Sequence, residues 1–484
     1  MSKLAVARDL GIGAIVRVWT QATAFVVILE AGRTLELNEF GVYAMASVFL
    51  IVLNTLIYSG IYEYLLKTDD FRAVADTCFC INLAIAACGS VIIVALAPLI
   101  AALAAAPSVE PMMLWLAPTA LVGAVTSWQE AILLRRKTVT AYYVIWFCSE
   151  TISAALALTL LLRGMHLYAL VGYRYSQCIC NFVAYLLYTR DFPRLAWQTG
   201  QARTALTFAL PLYGSRLVGI MTNYSADLII GILASPAAAG SYRLASRMIF
   251  GFSEVWFQPI KTIAWVRFAS AARRGIGLGP EWLGLMLVLS MLVWPTLGGV
   301  AILSEQLTDI VLGPTWHVAA PVVVVLAIAK ATQLFEVFLD PLMTVSDQVR
   351  RLLRIRVAAS IIAVIGFFVL ARFGAIAAAW VQAGVYLLLA AITIRVGAGD
   401  TKVHWRVFLL ALSPGLATTL LTMLAAVATR DALSGTNLSP IAKLACDIGA
   451  CGIVWVLVAG IAFHRRAEPA LLHLREQLAR IAVR

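Results

Sequence analysis

Charge is scarce in this sequence. Only 13% of its 484 residues are charged and 62% are hydrophobic. A soluble domain carries about 25% charged residues. Long polar stretches are missing too, so an attached catalytic or nucleic-acid-binding module is not expected. Histidine is rare: the five, at 166, 317, 404, 464 and 473, fall in loops, at segment ends or in the tail. They form no repeated spacing with an acid or a nucleophile. There is no phosphate-cradling glycine-rich loop and no ATPase module. No catalytic constellation emerges, so no enzyme activity, cofactor or metal site is expected. The eight cysteines (78, 80, 88, 148, 178, 180, 446 and 451) all lie inside hydrophobic segments. Cys78/Cys80 and Cys178/Cys180 are too closely spaced for a usual zinc pair and have no histidine nearby, so they read as small apolar core residues. A cleaved signal peptide is not expected, because a small-residue cleavage site is lacking and Arg17 interrupts the first apolar stretch.

What the chain does have is one apolar stretch after another. A spanning helix takes about 20 mostly apolar residues. Fourteen such segments are expected, at 9–31, 40–65, 77–104, 112–134, 140–162, 168–189, 204–233, 237–259, 281–302, 317–346, 353–371, 374–394, 407–428 and 443–463. An even number puts both termini on one side. Basic residues choose that side. Alternate breaks and the two ends, assigned to the cytoplasm, carry 26 Lys and Arg; the opposite breaks carry five, namely Arg33, Arg163, Arg372, Arg430 and Lys443. Positive residues stay inside. The net charge of +12 is therefore read as a topology signal, and nucleic acid is not an expected partner. In the tail from His464, Leu471, Leu474, Leu478 and Ile481 recur at helical spacing between arginines. That tail reads either as a basic amphipathic helix on the membrane face or as a solvated end.

A short repeat has an offset of 199: GVYAMAS at 41–47 returns as GSYRLAS at 240–246. The same offset places Arg17 on Arg216 and Thr23 on Thr222. A weaker echo at 210 places Gly164 on Gly374 and Glu130 on Asp340. With six segments in each half, both halves enter from the cytoplasm, which makes the duplication parallel. The expected organisation is an N-terminal lobe at 1–200, a C-terminal lobe at 201–396, two further helices at 397–463 and the cytoplasmic tail at 464–484.

Six basic residues fall inside the apolar segments: Arg17, Arg174, Arg216, Arg243, Arg247 and Lys330. A charge at the bilayer centre costs at least about 2.5–3.5 kcal/mol, so such residues face protein or water. Arg243, Arg247, Glu254 and Gln258 share a narrow helical arc, and Lys330, Gln333, Glu336 and Asp340 share a broader face. Tyr43, Ser47, Asn54 and Tyr58 form a milder stripe. The simplest arrangement turns these stripes toward a common aqueous cavity. Arginine's planar fork suits a phosphate bidentately. Arg17, Arg216, Arg243, Arg247 and Lys330 are therefore candidate contacts for an anion such as a pyrophosphate; internal pairing is the alternative for each. Asp227, Glu254, Glu336, Asp340 and Glu130, with Glu150 and Asp447, are candidate proton or cation sites or structural acids.

Three blocks then carry a resemblance: Glu39-Phe-Gly-Val-Tyr43; Ala226–Leu233 followed by Gly240-Ser-Tyr-Arg-Leu-Ala245; and Gly313-Pro-Thr-Trp316 with Ala319 and Ala320. In order and spacing they resemble the polysaccharide transporters of the multidrug/oligosaccharidyl-lipid/polysaccharide exporter superfamily, which include O-antigen and exopolysaccharide flippases. The resemblance covers nearly the whole chain. It implies an all-α integral membrane protein, with two six-helix lobes around a cavity and two extra helices. It also implies movement of an undecaprenyl-pyrophosphate-linked oligosaccharide across the bacterial inner membrane by alternating access, beside membrane lipids and a polysaccharide polymerase machinery.

Two alternatives remain on these grounds. A cation-coupled multidrug antiporter of the same superfamily would favour acidic and aromatic cavity residues over arginines. A membrane polysaccharide polymerase or ligase would carry a large outer loop, and the longest outer breaks here, 303–316 and 429–442, are only about a dozen residues. The major facilitator fold is disfavoured because 66–76, LKTDDFRAVAD, lacks its basic Gly-Asp-Arg signature.

Overall fold

A computed structural model describes residues 3–68, 71–136, 139–275, 277–401 and 405–462. Among them the chain is helical and has no strand. The first half runs α1 (Lys3–Thr34), α2 (Leu37–Ile57), α3 (Ile61–Lys67), α4 (Phe71–Leu103), α5 (Val109–Leu116), α6 (Thr119–Arg135), α7 (Val139–Leu162) and α8 (Leu167–Thr189). Next come α9 (Thr199–Leu233), α10 (Pro236–Arg273), α11 (Gly279–Ile302) and the single turn α12 (Ser304–Leu307). After a π turn at Thr308–Leu312 and a 3-10 turn at Pro314–Ala319 follow α13 (Ala320–Glu336), α14 (Leu339–Val345) and α15 (Val349–Leu370). The chain then continues through a 3-10 turn at Ala371–Phe373 into α16 (Ala375–Thr401), α17 (Trp405–Leu433) and α18 (Pro440–Ala462).

Among the described residues each of the fourteen expected segments falls on helix, and three of them, 40–65, 112–134 and 317–346, are divided over more than one. Among the described residues, twelve helical stretches are long and apolar enough to cross a bilayer. The other two, α8 and α10, are long enough but too polar: α8 is rich in hydroxyl and amide side chains, and α10 carries several charges. Many large apolar side chains point outward, among them Ile15, Val91, Leu187, Phe368 and Val456. In water that would be costly; in hydrocarbon it is the expected surface, with backbone polar groups paired inside each helix. The protein is an all-α integral membrane protein. The tail expected to be amphipathic, from His464, lies outside the described residues.

Contacts divide the chain into two compact units. One holds the residues up to Leu244 together with Val364–Ala375; the other holds Ala245–Ala363 together with the helices after Ile376. These boundaries follow packing, whereas the six, six and two organisation follows the repeat and remains our proposal.

In the first unit, a core of α3, α4, α6 and α9 closes around Ile61, Phe79, Trp128 and Tyr213. The indole of Trp128 donates to the carbonyl of Ala75 at 3.0 Å. The chain breaks between α2 and α3 at Gly60, whose φ of 55° suits glycine. A Cβ there would also stand 2.4 Å from the Tyr213 ring. Arg135, near the end of α6, donates to the carbonyls of Leu65 and Leu66 at 3.2 Å each. It thereby satisfies carbonyls that the end of α3 leaves open.

In the second unit, α11 and α17 pack through small residues. A Cβ on Gly415 would lie 2.5 Å from the Ser290 hydroxyl, and one on Gly298 would lie 2.8 Å from Thr419. Close backbone approach of this kind is how helices associate where lipid removes the hydrophobic drive. Trp282 stacks on Phe408 at 5.2 Å, and the Trp455 indole donates to the Met291 carbonyl at 2.8 Å.

Candidate functional site

The first unit contains a polar pocket of about 410 Å³. The last turns of α2 line it with Ile51, Asn54 and Thr55, and the residues that follow, Tyr58 and Ser59, continue this wall; α8 contributes Arg174 and α9 contributes Arg216. Helical periodicity explains the α2 wall, since Ile51, Asn54, Thr55 and Tyr58 recur at three- and four-residue intervals. The wall is held in place from behind. The Tyr58 hydroxyl and the Thr126 hydroxyl are 2.7 Å apart. Thr55 donates to Ile51 O at 2.8 Å. Among the described residues that line the pocket, the charged side chains are the two guanidinium groups.

Neither arginine is neutralised outright. Arg216 Nη2 pairs with Glu63 Oε1 at 3.0 Å, and the Arg216 side chain is 57% exposed. Arg174 Nη1 donates to Gln177 Oε1 at 2.7 Å. Its Nε is buried and has no hydrogen-bond partner. A buried guanidinium N–H without an acceptor marks a place where a bound acceptor would be stabilised.

The structure distributes the other candidate residues widely. Arg17 is exposed on α1 and does not line this pocket. Arg243 is buried and engaged with Asp227, Nη1 to Oδ2 at 2.5 Å, while its guanidinium also lies over the Tyr224 ring at 5.0 Å. This pair joins α10 to α9 and reads as a structural bond. Arg247 is half-buried on α10. Glu254, on the same helix, accepts from Gln258 Nε2 at 2.9 Å. In the second unit, the Lys330 ammonium sits over two rings, Phe250 at 5.5 Å and Tyr386 at 5.7 Å. Glu336 and Asp340 share Arg356: Arg356 Nη1 pairs with Glu336, and its Nη2 is 2.8 Å from Asp340 Oδ1. Lys261 completes this cluster at 3.2 Å from Asp340. Glu130 accepts from the Tyr62 hydroxyl at 2.7 Å. Among the described residues no group of three His, Cys, Asp or Glu could hold a metal ion.

Of the five cationic candidates, then, the pocket gathers Arg216 and adds Arg174, which sequence reasoning had not placed among them. The signal for Arg174 was present: Arg174, Gln177 and Asn181 recur along one face of α8. Glu63 and Gln177 were missed because each acts on an arginine from a different or otherwise unremarkable position.

Comparisons with known proteins agree with this architecture. The family described as polysaccharide biosynthesis protein matches residues 32–321. The succinoglycan biosynthesis transport protein ExoT of Rhizobium meliloti is 23% identical over 329 residues, which are 67% of this chain and 66% of that one. This chain thus matches just under two thirds of that relative's length. Among solved structures, the lipid II flippase MurJ in its inward closed conformation superposes with a TM-score of 0.75 at 10% identity, covering 93% of this chain and 98% of that one. An inward-facing multidrug resistance MATE family transporter of the MOP superfamily superposes with a TM-score of 0.61 at 12% identity, covering 79% and 94%. At these identities the two structures speak to the fold. The chain belongs to the polysaccharide biosynthesis protein family, as a membrane protein with the fold shared by those flippase and multidrug transporter structures.

Proposed function

We propose that this protein is a flippase that moves an undecaprenyl-pyrophosphate-linked oligosaccharide from the cytoplasmic to the periplasmic leaflet of the bacterial inner membrane. The observation that carries this reading is the pairing of Arg174 and Arg216 in one polar pocket of a membrane-spanning unit. A pyrophosphate cannot enter hydrocarbon unaided, because an unpaired buried charge is prohibitively costly. Two guanidinium groups on separate helices offer substitute partners to the head group, and hydroxyl and amide groups of α2 offer hydrogen bonds to sugar. The lipid tail stays in the bilayer. Transport then follows by alternating exposure of the cavity to the two sides. The similarity to a polysaccharide transport protein supports the substrate class. The distribution of basic residues supports cytoplasmic termini and an inner-membrane setting. A polysaccharide polymerase is the natural partner, as it consumes the flipped lipid-linked glycan.

The test is reconstitution into liposomes with a fluorescent lipid-linked oligosaccharide, followed by measurement of leaflet exchange. Wild type should accelerate exchange. Arg174→Ala and Arg216→Ala should slow it, and Arg17→Ala, outside the pocket, serves as comparison. A folded wild type that exchanges no glycan tested, yet alters drug susceptibility in cells, would overturn the reading in favour of an antiporter.

A further inference from the structure

Behind the pocket a second carboxylate is buried completely. Glu150, on α7, is 0% exposed. Three donors converge on it from two other helices. Gln177 Nε2 donates to its Oε2 at 2.8 Å, the Tyr173 hydroxyl donates to its Oε1, and the Thr23 hydroxyl of α1 reaches that same oxygen at 3.4 Å. Gln177 in turn accepts from Arg174 through its other amide atom, Oε1, at 2.7 Å. A continuous chain therefore runs from Glu150 through Gln177 to the Arg174 guanidinium that lines the pocket.

The chemistry of this chain has a direction. A carboxylate only accepts hydrogen bonds, whereas an amide offers NH₂ on one side and C=O on the other. Glu150 therefore requires the NH₂ of Gln177. The amide oxygen must then face the opposite way, toward Arg174, which only donates. With the carboxylate in place there is one compatible orientation of Gln177, and it is the one that holds a guanidinium. An uncharged amide at position 150 would satisfy either orientation, and one of them would set NH₂ against the arginine.

We propose that Glu150 is a positioning residue for the anion pocket: through Gln177 it fixes the Arg174 guanidinium in the place where it meets the pyrophosphate of the lipid-linked substrate. This rests on the pocket being the head-group site proposed above. Glu150 need not touch the cargo. Its effect is transmitted by the obligate orientation of one amide.

The experiment measures binding of farnesyl pyrophosphate to the full chain in detergent by calorimetry. Arg174→Ala and Arg216→Ala report on the pocket. Glu150→Gln should weaken binding about ten-fold, as expected for loss of one charge-assisted hydrogen-bonded position. It should add nothing further in the Arg174→Ala background, because both changes remove the same contact. Should Glu150→Gln fail to fold, Gln177→Leu cuts the same link and leaves Glu150 with Tyr173 and Thr23. If the arginine variants weaken binding but the Glu150 and Gln177 variants do not, or Glu150→Gln weakens it equally in the Arg174→Ala background, this inference falls and the pocket stands. If neither arginine variant weakens binding, the pocket reading falls, and this inference with it.

Discussion

Gly41 and Gly240, which occupy the same position in the two copies of the short repeat, lie against one another. A Cβ on Gly41 would stand 1.7 Å from the carbonyl oxygen of Pro236 and 3.1 Å from the nitrogen of Gly240. A Cβ on Gly240 would stand 2.3 Å from the carbonyl oxygen of Leu37 and 2.9 Å from the nitrogen of Gly41. The starts of α2 and α10 thus cross on bare backbone. Both glycines lie within the first compact unit. Gly41→Ala and Gly240→Ala should each destabilise the protein by about 1–3 kcal/mol, since the obstacles are backbone atoms that cannot swing aside. Gly219→Ala on α9, with nothing within 4 Å, should leave stability unchanged or raise it. Thermal unfolding of the purified protein in detergent distinguishes the two classes.

Glu63 competes with any anion for Arg216. Their pair is half-exposed, and such pairs contribute about 0.2–1 kcal/mol. Glu63→Gln should release the guanidinium and tighten pyrophosphate binding by up to about five-fold. Titration with farnesyl pyrophosphate reads this directly; weaker binding would show that Glu63 orients Arg216 instead of competing for it.

The Arg243–Asp227 pair should behave as a structural bond. Removing one partner alone, by Asp227→Asn or Arg243→Met, breaks a buried ion pair and should cost about 3–5 kcal/mol. Replacing both, with Asp227→Leu and Arg243→Met together, should recover much of that loss. The double variant should flip lipid-linked glycan at a rate near that of wild type. Melting temperature and liposome exchange, measured side by side, decide the matter: loss of exchange in a stable double variant would return Asp227 to the coupling role considered from sequence.

Within the Glu336–Arg356–Asp340–Lys261 cluster, the centre and the edge should differ. Arg356→Ala removes the ion-pair partner of the buried Glu336 carboxylate, whose side chain is 6% exposed, leaves it the Gln333 amide, and should cost about 1–3 kcal/mol. Lys261, 40% exposed, holds only Asp340, and Lys261→Ala should cost at most about 1 kcal/mol. Equal losses in thermal unfolding would mean that the cluster is one indivisible unit.

The membrane-spanning plan was legible because it depends on composition alone: apolar length decides which segments are buried in hydrocarbon. The two glycines that suggested the repeat, Gly41 and Gly240, sit where backbones touch. The pocket was less so. An offset of 199 equates Arg17 with Arg216 along their helices, yet an offset fixes depth and says nothing of which wall a helix faces. Only Arg216 reaches the pocket. Asp227 and Arg243 were both noticed, but their pairing joins helices that no local spacing rule connects. Glu150 was noticed as an acid and its chain to Arg174 was not, because the link passes through α8, and three-dimensional adjacency of α7 and α8 has to be seen.

That helix raises a question of biogenesis. Arg174, which lines the pocket, and its neighbours Tyr173, Gln177 and Asn181 lower the apolarity of α8. One central arginine alone opposes insertion by about 2.5–3.5 kcal/mol. We expect α8 to enter the bilayer more readily with α7 beside it than alone, because Glu150 of α7 receives Gln177 and Tyr173 of α8.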